Sequence, residues 1–212
     1  MEALVIGATG LVGKALTQQL IASDDYSSVR VLVRRKTFAP HPKLHEVIVD
    51  FDSLADCLCL ANHVFCTIGT TIKNAGSKEA FRKVDFDYPL SLAKKCAQGG
   101  SKVFCLVTSM GADMNSLFFY SQVKGEIERE ISQLPIPQIG FFRPSMLVGN
   151  REEHRFGEAI GQRVMEVFDF LIPSKYKAIA VEKVAASMIQ FAKKEQNGVT
   201  IIESDAIQEI DI

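Results

Sequence analysis

Tyr120 and Lys124 have a spacing that predicts proton-transfer chemistry. Positions i and i+4 share one face of a helix, with about 5–6 Å between their Cβ atoms. A lysine ammonium lowers the pKa of a nearby phenol from its usual value of about 10, so the phenol can act as an acid or base near neutral pH. Ser109 follows an apolar run just before this helix, and its hydroxyl could donate to a substrate carbonyl. The alternative is an ordinary helix pair, because this spacing is common.

A glycine-rich turn near the start of the chain is the second feature with chemical meaning. It follows an apolar run and opens a helical pattern, and strand, glycine turn and helix together hold a dinucleotide pyrophosphate. Gly7 would allow the tight turn, Gly10 would let the backbone approach the phosphates, and Gly13 would let the helix pack closely on the strand. The other positions of this turn that we expect to contact the cofactor are Thr9, Leu11 and Val12.

The end of the second predicted strand indicates which nicotinamide cofactor binds. NAD-binding proteins usually place an acid about 20 residues past the glycine loop, where it accepts from the ribose 2′-hydroxyl. This chain has Arg34 and Arg35 there and no acid nearby. Two guanidinium groups could instead bind a 2′-phosphate, which favours NADP over NAD. The alternative is a solvated basic strand end.

Two further strand ends could contact the cofactor. Asp50 could accept a hydrogen bond from the adenine amino group, with Phe51 beside the ring, although an acid in a strand-to-helix turn is the alternative. Thr67, Gly69 and Thr70 form a small, hydroxyl-rich turn after the fourth predicted strand. Such a turn would let backbone groups reach the cofactor.

The elements that must position these residues alternate between strand and helix. The predicted strands are 3–6, 29–33, 46–49, 63–68, 102–108, 136–142 and 199–202. The predicted helices are 10–22, 78–98, 117–133 and 181–194. Near-continuous apolar strands that alternate with helices indicate an α/β fold with a doubly wound parallel sheet, the Rossmann fold.

The segment after Gly149 differs from the rest of the chain. Phe156 to Leu171 carry apolar residues at helical spacing, which predicts an amphipathic helix. We expect residues 150–180 to form a small, helical, substrate-side lobe over the carboxyl edge of the sheet, within one domain that spans 1–212. This helix could equally face a second copy in a homodimer.

Composition excludes several classes of protein. A net charge of −1 over 212 residues gives no electrostatic footprint for nucleic acid or an anionic membrane. The sequence has no run of about 18 apolar residues, so we expect no transmembrane helix. We also expect no secretory signal peptide. The five cysteines are odd in number and contain no C-x-x-C pair, which is typical of buried thiols in a reducing compartment, so we expect a cytoplasmic protein. The four histidines lack metal-ligand spacing, and we expect no metal site.

The glycine turn, Thr108-Ser109 and Tyr120-x-x-x-Lys124 together resemble the short-chain dehydrogenase/reductase superfamily, in its atypical and extended branches. The segment Phe142-Arg143-Pro144 resembles the stretch whose backbone lines the nicotinamide pocket in those branches. The segments 66–71, 108–113 and 120–126 are more closely similar to the Tat-interacting-protein branch of NADPH-binding oxidoreductase-like proteins.

The resemblance implies roles for the three candidate catalytic residues. Tyr120 would give a proton to the carbonyl being reduced, Lys124 would hold the nicotinamide ribose, and Ser109 would orient the carbonyl, with hydride coming from NADPH. Many members also carry a helix asparagine that completes a proton relay. The only candidate here, Asn74, lies in a glycine-containing loop and is not given that role. The chain also lacks the long substrate domain of the extended enzymes.

Three functions remain open from the sequence. The first is an NADPH-dependent oxidoreductase that acts on a small carbonyl or sugar-like substrate. The second is an NADPH-binding regulatory or interaction protein with vestigial catalysis, because fold alone does not decide function. The third is an epimerase or dehydratase that retains NAD, against which Arg34 and Arg35 argue.

Overall fold

The computed structural model describes residues 1–56, 61–148, 173, 176–194 and 196–211. Seven strands form one parallel sheet with the spatial order β3-β2-β1-β4-β5-β6-β9. Their bounds are β1 Glu2–Ile6, β2 Ser28–Val33, β3 Leu44–Ile48, β4 His63–Cys66, β5 Val103–Val107, β6 Gln138–Arg143 and β9 Gly198–Glu203. Two short strands, β7 (Leu147–Val148) and β8 (Ile179–Ala180), pair with each other outside this sheet.

The strand order reverses between β1 and β4, because β2 and β3 extend the sheet on one side and β5 and β6 on the other. In open parallel sheets, ligands bind in the crevice at such a reversal, beyond the carboxyl ends of the strands. The doubly wound fold predicted from the sequence is confirmed.

Helices cover both faces of the sheet. Their bounds are α1 Leu11–Ala22, α2 Ile72–Ala75, α3 Lys78–Arg82, α4 Tyr88–Gln98, α5 Phe119–Ser132, α6 Val181–Lys193 and α7 Ser204–Gln208. A 3-10 turn spans Phe51–Asp56, and a π-helical segment spans Lys83–Asp87.

Alternation along β1 shows how the sheet builds two cores. Ala3 and Val5 belong to a buried cluster with residues of α1 and α6. Leu4 and Ile6 belong to a second cluster with residues of α4 and α5. Successive strand side chains point to opposite faces, so a strand buried on both faces must be apolar throughout, as this one is.

The predicted helix 78–98 is interrupted. Its middle, Lys83–Asp87, is π-helical, with α3 before it and α4 after it. A π-helical turn contains one residue more than an α-helical turn, which shifts the hydrophobic spacing only locally. The sequence pattern therefore does not reveal this change. Single π-helical turns occur often at functional sites.

Strand ends differ from the predictions by a few residues. The strand predicted over 136–142 begins only at Gln138, because Pro137 has no N–H to donate to the sheet. The strand predicted over 63–68 ends at Cys66, since the chain turns at Thr67.

The predicted lobe 150–180 lies outside the described residues, apart from Pro173 and 176–180. The same holds for the amphipathic helix predicted over Phe156 to Leu171. Within the described ranges, no helix combines the length and the apolar character needed to cross a bilayer.

Candidate functional site

The turns that follow the strands lie at one edge, because every strand of the main sheet is parallel to its neighbours. The site residues predicted from the sequence occupy these turns or the helices that follow them, except Arg143, which is the last residue of β6. The topology therefore brings together residues that are far apart along the chain.

The glycine turn has the geometry that its spacing predicts. Gly7 has φ of +86°, and a Cβ there would lie 2.5 Å from the backbone nitrogen of Ile68. A Cβ on Gly13 would lie 2.1 Å from the carbonyl oxygen of Gly7, so only glycine lets α1 pack this closely on the turn.

Gly10 is the N-cap of α1, with no side-chain cap. The first intrahelical bond of this helix runs from the amide of Lys14 to the carbonyl of Gly10, at 2.9 Å. The amides of the first turn therefore have no intrahelical acceptor and point outward at the positive end of the helix dipole. This arrangement favours a phosphate group.

A basic cleft adjoins the glycine turn. It has a volume of about 420 Å³ and is lined by Thr9, Arg34, Arg35 and Thr37. Among the described residues, no carboxylate forms an ion pair with either arginine. The two guanidinium groups therefore have no carboxylate partner in the part of the chain that the structure describes, and their binding of a 2′-phosphate stays a prediction. Thr37 was not predicted, since its proximity follows from the turn after β2.

Asp50 and Phe51, which the sequence predicts beside the adenine, have other contacts in the structure. The Asp50 carboxylate accepts a bond from the amide of Asp52 at 3.0 Å, as an acid in a strand-to-helix turn does. The ring of Phe51 packs 5.7 Å from the ring of Tyr88, between centroids. A cleft of about 400 Å³ lies here, lined by Phe51, Asp52, Glu79, Lys83, Asp87, Tyr88 and Ser91.

The turn after β4 is tied to two other segments. The amide and hydroxyl of Thr67 donate to the carbonyl of Ile6, at 2.8 and 3.1 Å. The amide of Thr70 donates to Asp85 at 2.9 Å. The turn predicted to face the cofactor is therefore held at the point where the strand order reverses.

Tyr120 and Lys124 lie on α5, as their spacing predicts. The ammonium of Lys124 is 5.9 Å from the centroid of the Tyr120 ring, and that ring packs 5.3 Å from the ring of Phe81. Lys124 is buried and its ammonium lies 2.7 Å from the carboxylate of Asp85. Burial alone would lower the pKa of Lys124, but Asp85 and Tyr120 outweigh burial, so this pKa is raised.

Sequence reasoning missed Asp85. The resemblance points to an asparagine as the relay residue, whereas the structure has the Asp85 carboxylate beside Lys124 and Asn74 in α2. An acid between Val84 and Phe86 in a predicted helix was the available signal. That signal is weak, because most helix acids are solvated.

Ser109 has an unpaired hydroxyl at the end of β5. Its Oγ atom is buried and has no hydrogen-bond partner among the described residues. The adjoining backbone is fixed, since Met110 donates to the carbonyl of Pro144 at 3.0 Å. A buried hydroxyl without a partner is costly, and an incoming carbonyl oxygen would satisfy it.

The side chain of Arg143 is occupied by carboxylates. Its Nε atom donates to Glu128 at 3.0 Å and its Nη1 atom to Glu203 at 3.0 Å. Thr108 donates to the same Glu128 carboxylate at 2.6 Å. Only the backbone of the segment Arg143-Pro144 is left to line a cofactor pocket, which is the role that the resemblance implies.

Replacing Arg143 with methionine is expected to destabilise the fold by about 3–5 kcal/mol, because the buried Glu128 would lose its partner. Urea unfolding would measure the loss. Glu203→Gln is the matched control, and it should cost less than about 1 kcal/mol because Glu203 is half exposed. Unchanged stability of Arg143→Met together with lost NADPH affinity would instead assign this side chain to the cofactor.

The sequence of this chain is similar to those of known proteins. Residues 36–175, more than half of the chain, match the model of the HIM1 family. Protein HTATIP2 of Rattus norvegicus is 32% identical over 209 residues, which cover 96% of this chain and 86% of that protein. Protein FMP52, mitochondrial, of Candida albicans is 33% identical over 207 residues, with 93% and 90% covered.

Solved structures support the fold. MoeE5 in complex with UDP-glucuronic acid and NAD superposes with a TM-score of 0.73 at 18% identity, over 96% of this chain and 76% of that one. The human epimerase family protein SDR39U1 with NADPH gives 0.65 at 22% identity, over 99% and 77%. Both are similar to this chain in the arrangement of sheet and helices.

The cytoplasmic location expected from the sequence is wrong by this comparison. FMP52 relatives of Candida albicans, Eremothecium gossypii, Emericella nidulans and Meyerozyma guilliermondii are all named mitochondrial. The expectation rested on unpaired cysteines, and Cys66, Cys96 and Cys105 are indeed free and buried. Free thiols exclude only oxidising compartments, so they do not distinguish the cytoplasm from other reducing ones.

Proposed function

The chain belongs to the HIM1 family, within the atypical, Tat-interacting-protein-like short-chain dehydrogenase/reductases, and from this premise we propose that it is an NADPH-dependent oxidoreductase of a small carbonyl substrate. The observation that carries the proposal is the pair Tyr120 and Lys124 on the helix that follows β5, together with the hydroxyl of Ser109, which has no partner in the described part of the chain. A proton donor, a cation and a hydroxyl donor are protein groups that assist carbonyl reduction by a bound hydride donor.

Four features of the structure are consistent with a dinucleotide. The uncapped first turn of α1 suits the pyrophosphate. The basic cleft of Arg34 and Arg35 suits a 2′-phosphate. The buried ammonium of Lys124 would bind the nicotinamide ribose hydroxyls, the role that the resemblance implies. The backbones of Gly69 and Thr70, beside Lys124, would line the space between these groups.

The protein groups have separate tasks in the proposed reaction. The cofactor, when bound, supplies hydride. The hydroxyl of Ser109 donates to the carbonyl oxygen and orients it. The phenol of Tyr120 gives its proton to the same oxygen as negative charge develops there. Lys124 stabilises the phenolate that remains, since its ammonium lies near the ring.

Turnover of a carbonyl panel would test the proposal directly. NADPH consumption is followed with aldehydes, ketones and keto-sugars, and Tyr120→Phe serves as the blank. Consumption by the wild-type protein that the blank lacks supports an oxidoreductase. Equal rates in both proteins would remove Tyr120 from the chemistry.

NADPH should bind more tightly than NADH, because Arg34 and Arg35 can form charge-assisted bonds to the 2′-phosphate. One such bond contributes about 1.5–3 kcal/mol, which corresponds to roughly 10- to 150-fold in affinity. Arg34→Met and Arg35→Met should each reduce this preference and leave NADH affinity unchanged. Calorimetry with both cofactors measures it.

Lys36→Met is the matched control for that experiment. Lys36 is an exposed cation that follows the arginines but does not line the cleft. It should preserve the preference for NADPH at physiological salt, because screening weakens long-range attraction. Equal wild-type affinity for both cofactors would contradict the assignment of the cleft.

The second candidate function is an NADPH-binding interaction protein. Leu117 is fully exposed and Phe118 is 77% exposed, directly before α5. Adjacent exposed apolar side chains are a feature of protein contact surfaces. NADPH binding without turnover on the carbonyl panel would favour this function. Whether the chain forms a homodimer is a separate prediction, which sedimentation would test.

A further inference from the structure

Asp85 is a buried carboxylate on the π-helical segment Lys83–Asp87. Its exposed fraction is 1%, and its side chain is fully buried. Burial raises the pKa of this carboxyl, whereas Lys124 and the amide of Thr70 stabilise its charged form. A buried carboxylate is costly unless it is paired and hydrogen bonded, so its partners need a functional or structural explanation.

The two carboxylate oxygens of Asp85 connect three segments. Oδ1 lies 2.7 Å from the ammonium of Lys124 on α5. Oδ2 accepts from the amide of Thr70, in the turn after β4, at 2.9 Å. The carboxylate thus joins the turn predicted to face the cofactor to the lysine predicted to hold the ribose.

Gly69 allows this close approach. A Cβ at Gly69 would lie 3.3 Å from Oδ1 of Asp85 and 3.8 Å from the ammonium of Lys124. The backbone of the turn therefore passes directly over the ion pair.

We propose that Asp85 is a positioning residue of the site, which fixes both the place and the charge of Lys124 and ties it to the turn Gly69-Thr70. The part of this inference that concerns NADPH rests on the proposed function. The part that concerns Lys124 rests on the ion pair alone.

The groups that face Lys124 come from three elements. Asp85 comes from the π-helical segment, Tyr120 from α5 and Cys66 from β4. Burial raises the pKa of the Cys66 thiol to about 12, so the thiol is neutral at ordinary pH. Of these three residues, Asp85 is the one that carries a carboxylate. Without it, most of what offsets the burial of Lys124 would be lost, and the pKa of Lys124 would fall.

Asp85→Asn tests the charge of Lys124 in the apoprotein. The variant keeps the side-chain size and an acceptor for Thr70. If Lys124 then has a pKa below the value of about 10.4 in the unfolded chain, the unfolded state binds more protons between the two values. The free energy of unfolding of Asp85→Asn should therefore rise with pH relative to that of the wild-type protein.

Two further variants make the apoprotein experiment specific. Asp87→Asn removes an exposed acid from the same π-helical segment and should keep the wild-type pH profile. Asp85→Asn combined with Lys124→Met should lose the added pH dependence, because no buried amine remains. Urea unfolding at pH values from about 7 to about 10 measures all four proteins. An Asp85→Asn profile parallel to that of the wild-type protein overturns the proposal.

NADPH affinity provides the second readout. The wild-type protein should bind NADPH with little dependence on pH over this range, since Asp85 keeps Lys124 charged. Asp85→Asn should bind roughly 10- to 150-fold more weakly at the alkaline end, where Lys124 is neutral, than at the neutral end. Calorimetry measures both, with the wild-type protein at the same pH values as the reference. Unchanged, pH-independent affinity in Asp85→Asn overturns the link to the cofactor.

The two readouts separate this inference from the proposed function. If the wild-type protein does not bind NADPH, the proposed function fails, and the unfolding experiment still decides whether Asp85 sets the charge of Lys124. If the wild-type protein binds NADPH and Asp85→Asn gives the same unfolding profile and the same NADPH affinity as the wild-type protein, the positioning role fails and the proposed function stands.

Discussion

Tyr120→Phe is expected to lower kcat by about 10²- to 10⁴-fold, the usual cost of losing a general acid. Phenylalanine keeps the ring that packs 5.3 Å from Phe81, so the fold and the start of α5 should be unchanged. The hydroxyl that would give the proton is lost. NADPH affinity should change little, since Lys124 remains. Steady-state kinetics and calorimetry on the same preparation would separate these effects.

Tyr26→Phe is the matched control. The hydroxyl of Tyr26 bonds to His63 at 2.9 Å, in a buried cluster at the opposite edge of the sheet. Removing it should reduce stability and leave kcat unchanged. Tyr120→Phe with wild-type kcat would show that the Y-x-x-x-K spacing carries no chemistry here.

Lys124→Met is expected to lower kcat by a similar factor and, unlike Tyr120→Phe, to weaken NADPH binding. The effects of the two variants on rate should not add, because the residues act as one unit. The structure adds a stability effect, because methionine leaves the Asp85 carboxylate buried without its cation. A thermal unfolding measurement must therefore accompany the kinetics.

Gly10→Val is expected to abolish NADPH binding without unfolding the protein. Gly10 has extended backbone angles, with φ of −75° and ψ of 174°, which valine adopts readily. Among the residues that the structure describes, the one atom within 4 Å of a Cβ there would be the carbonyl oxygen of Gly7, at 3.3 Å. The added side chain would instead fill the space that the proposed pyrophosphate needs. Calorimetry with NADPH and thermal unfolding provide the measurements.

Gly13→Val is the contrasting variant. Its Cβ would lie 2.1 Å from the carbonyl oxygen of Gly7, so the first turn of α1 would have to move away from β1. We expect a loss of stability of about 1–3 kcal/mol or more from this overpacking. Gly10→Val with wild-type affinity for NADPH would mean that the glycine turn serves the fold alone.

Local patterns in the sequence were sufficient for the fold. Apolar runs such as Ala3 to Ile6 predict buried parallel strands, because a strand covered on both faces has no polar positions. The glycine turn is also local, since the positive φ of Gly7 and the approach of Gly13 involve residues close in sequence. The placement of Tyr120 and Lys124 on one helix follows from the same short-range geometry.

Only the tertiary structure decided how the charged residues are paired. Asp85 meets Lys124 because the π-helical segment and α5 pack against each other at the turn after β4. Arg143 is bound by Glu128 and Glu203, which lie on different elements. Such pairings depend on which long-range neighbours desolvate a charge, and periodicity in sequence carries no record of them. The sequence therefore determined the scaffold and the candidate residues, while packing determined which of those charges are held and which remain free to bind.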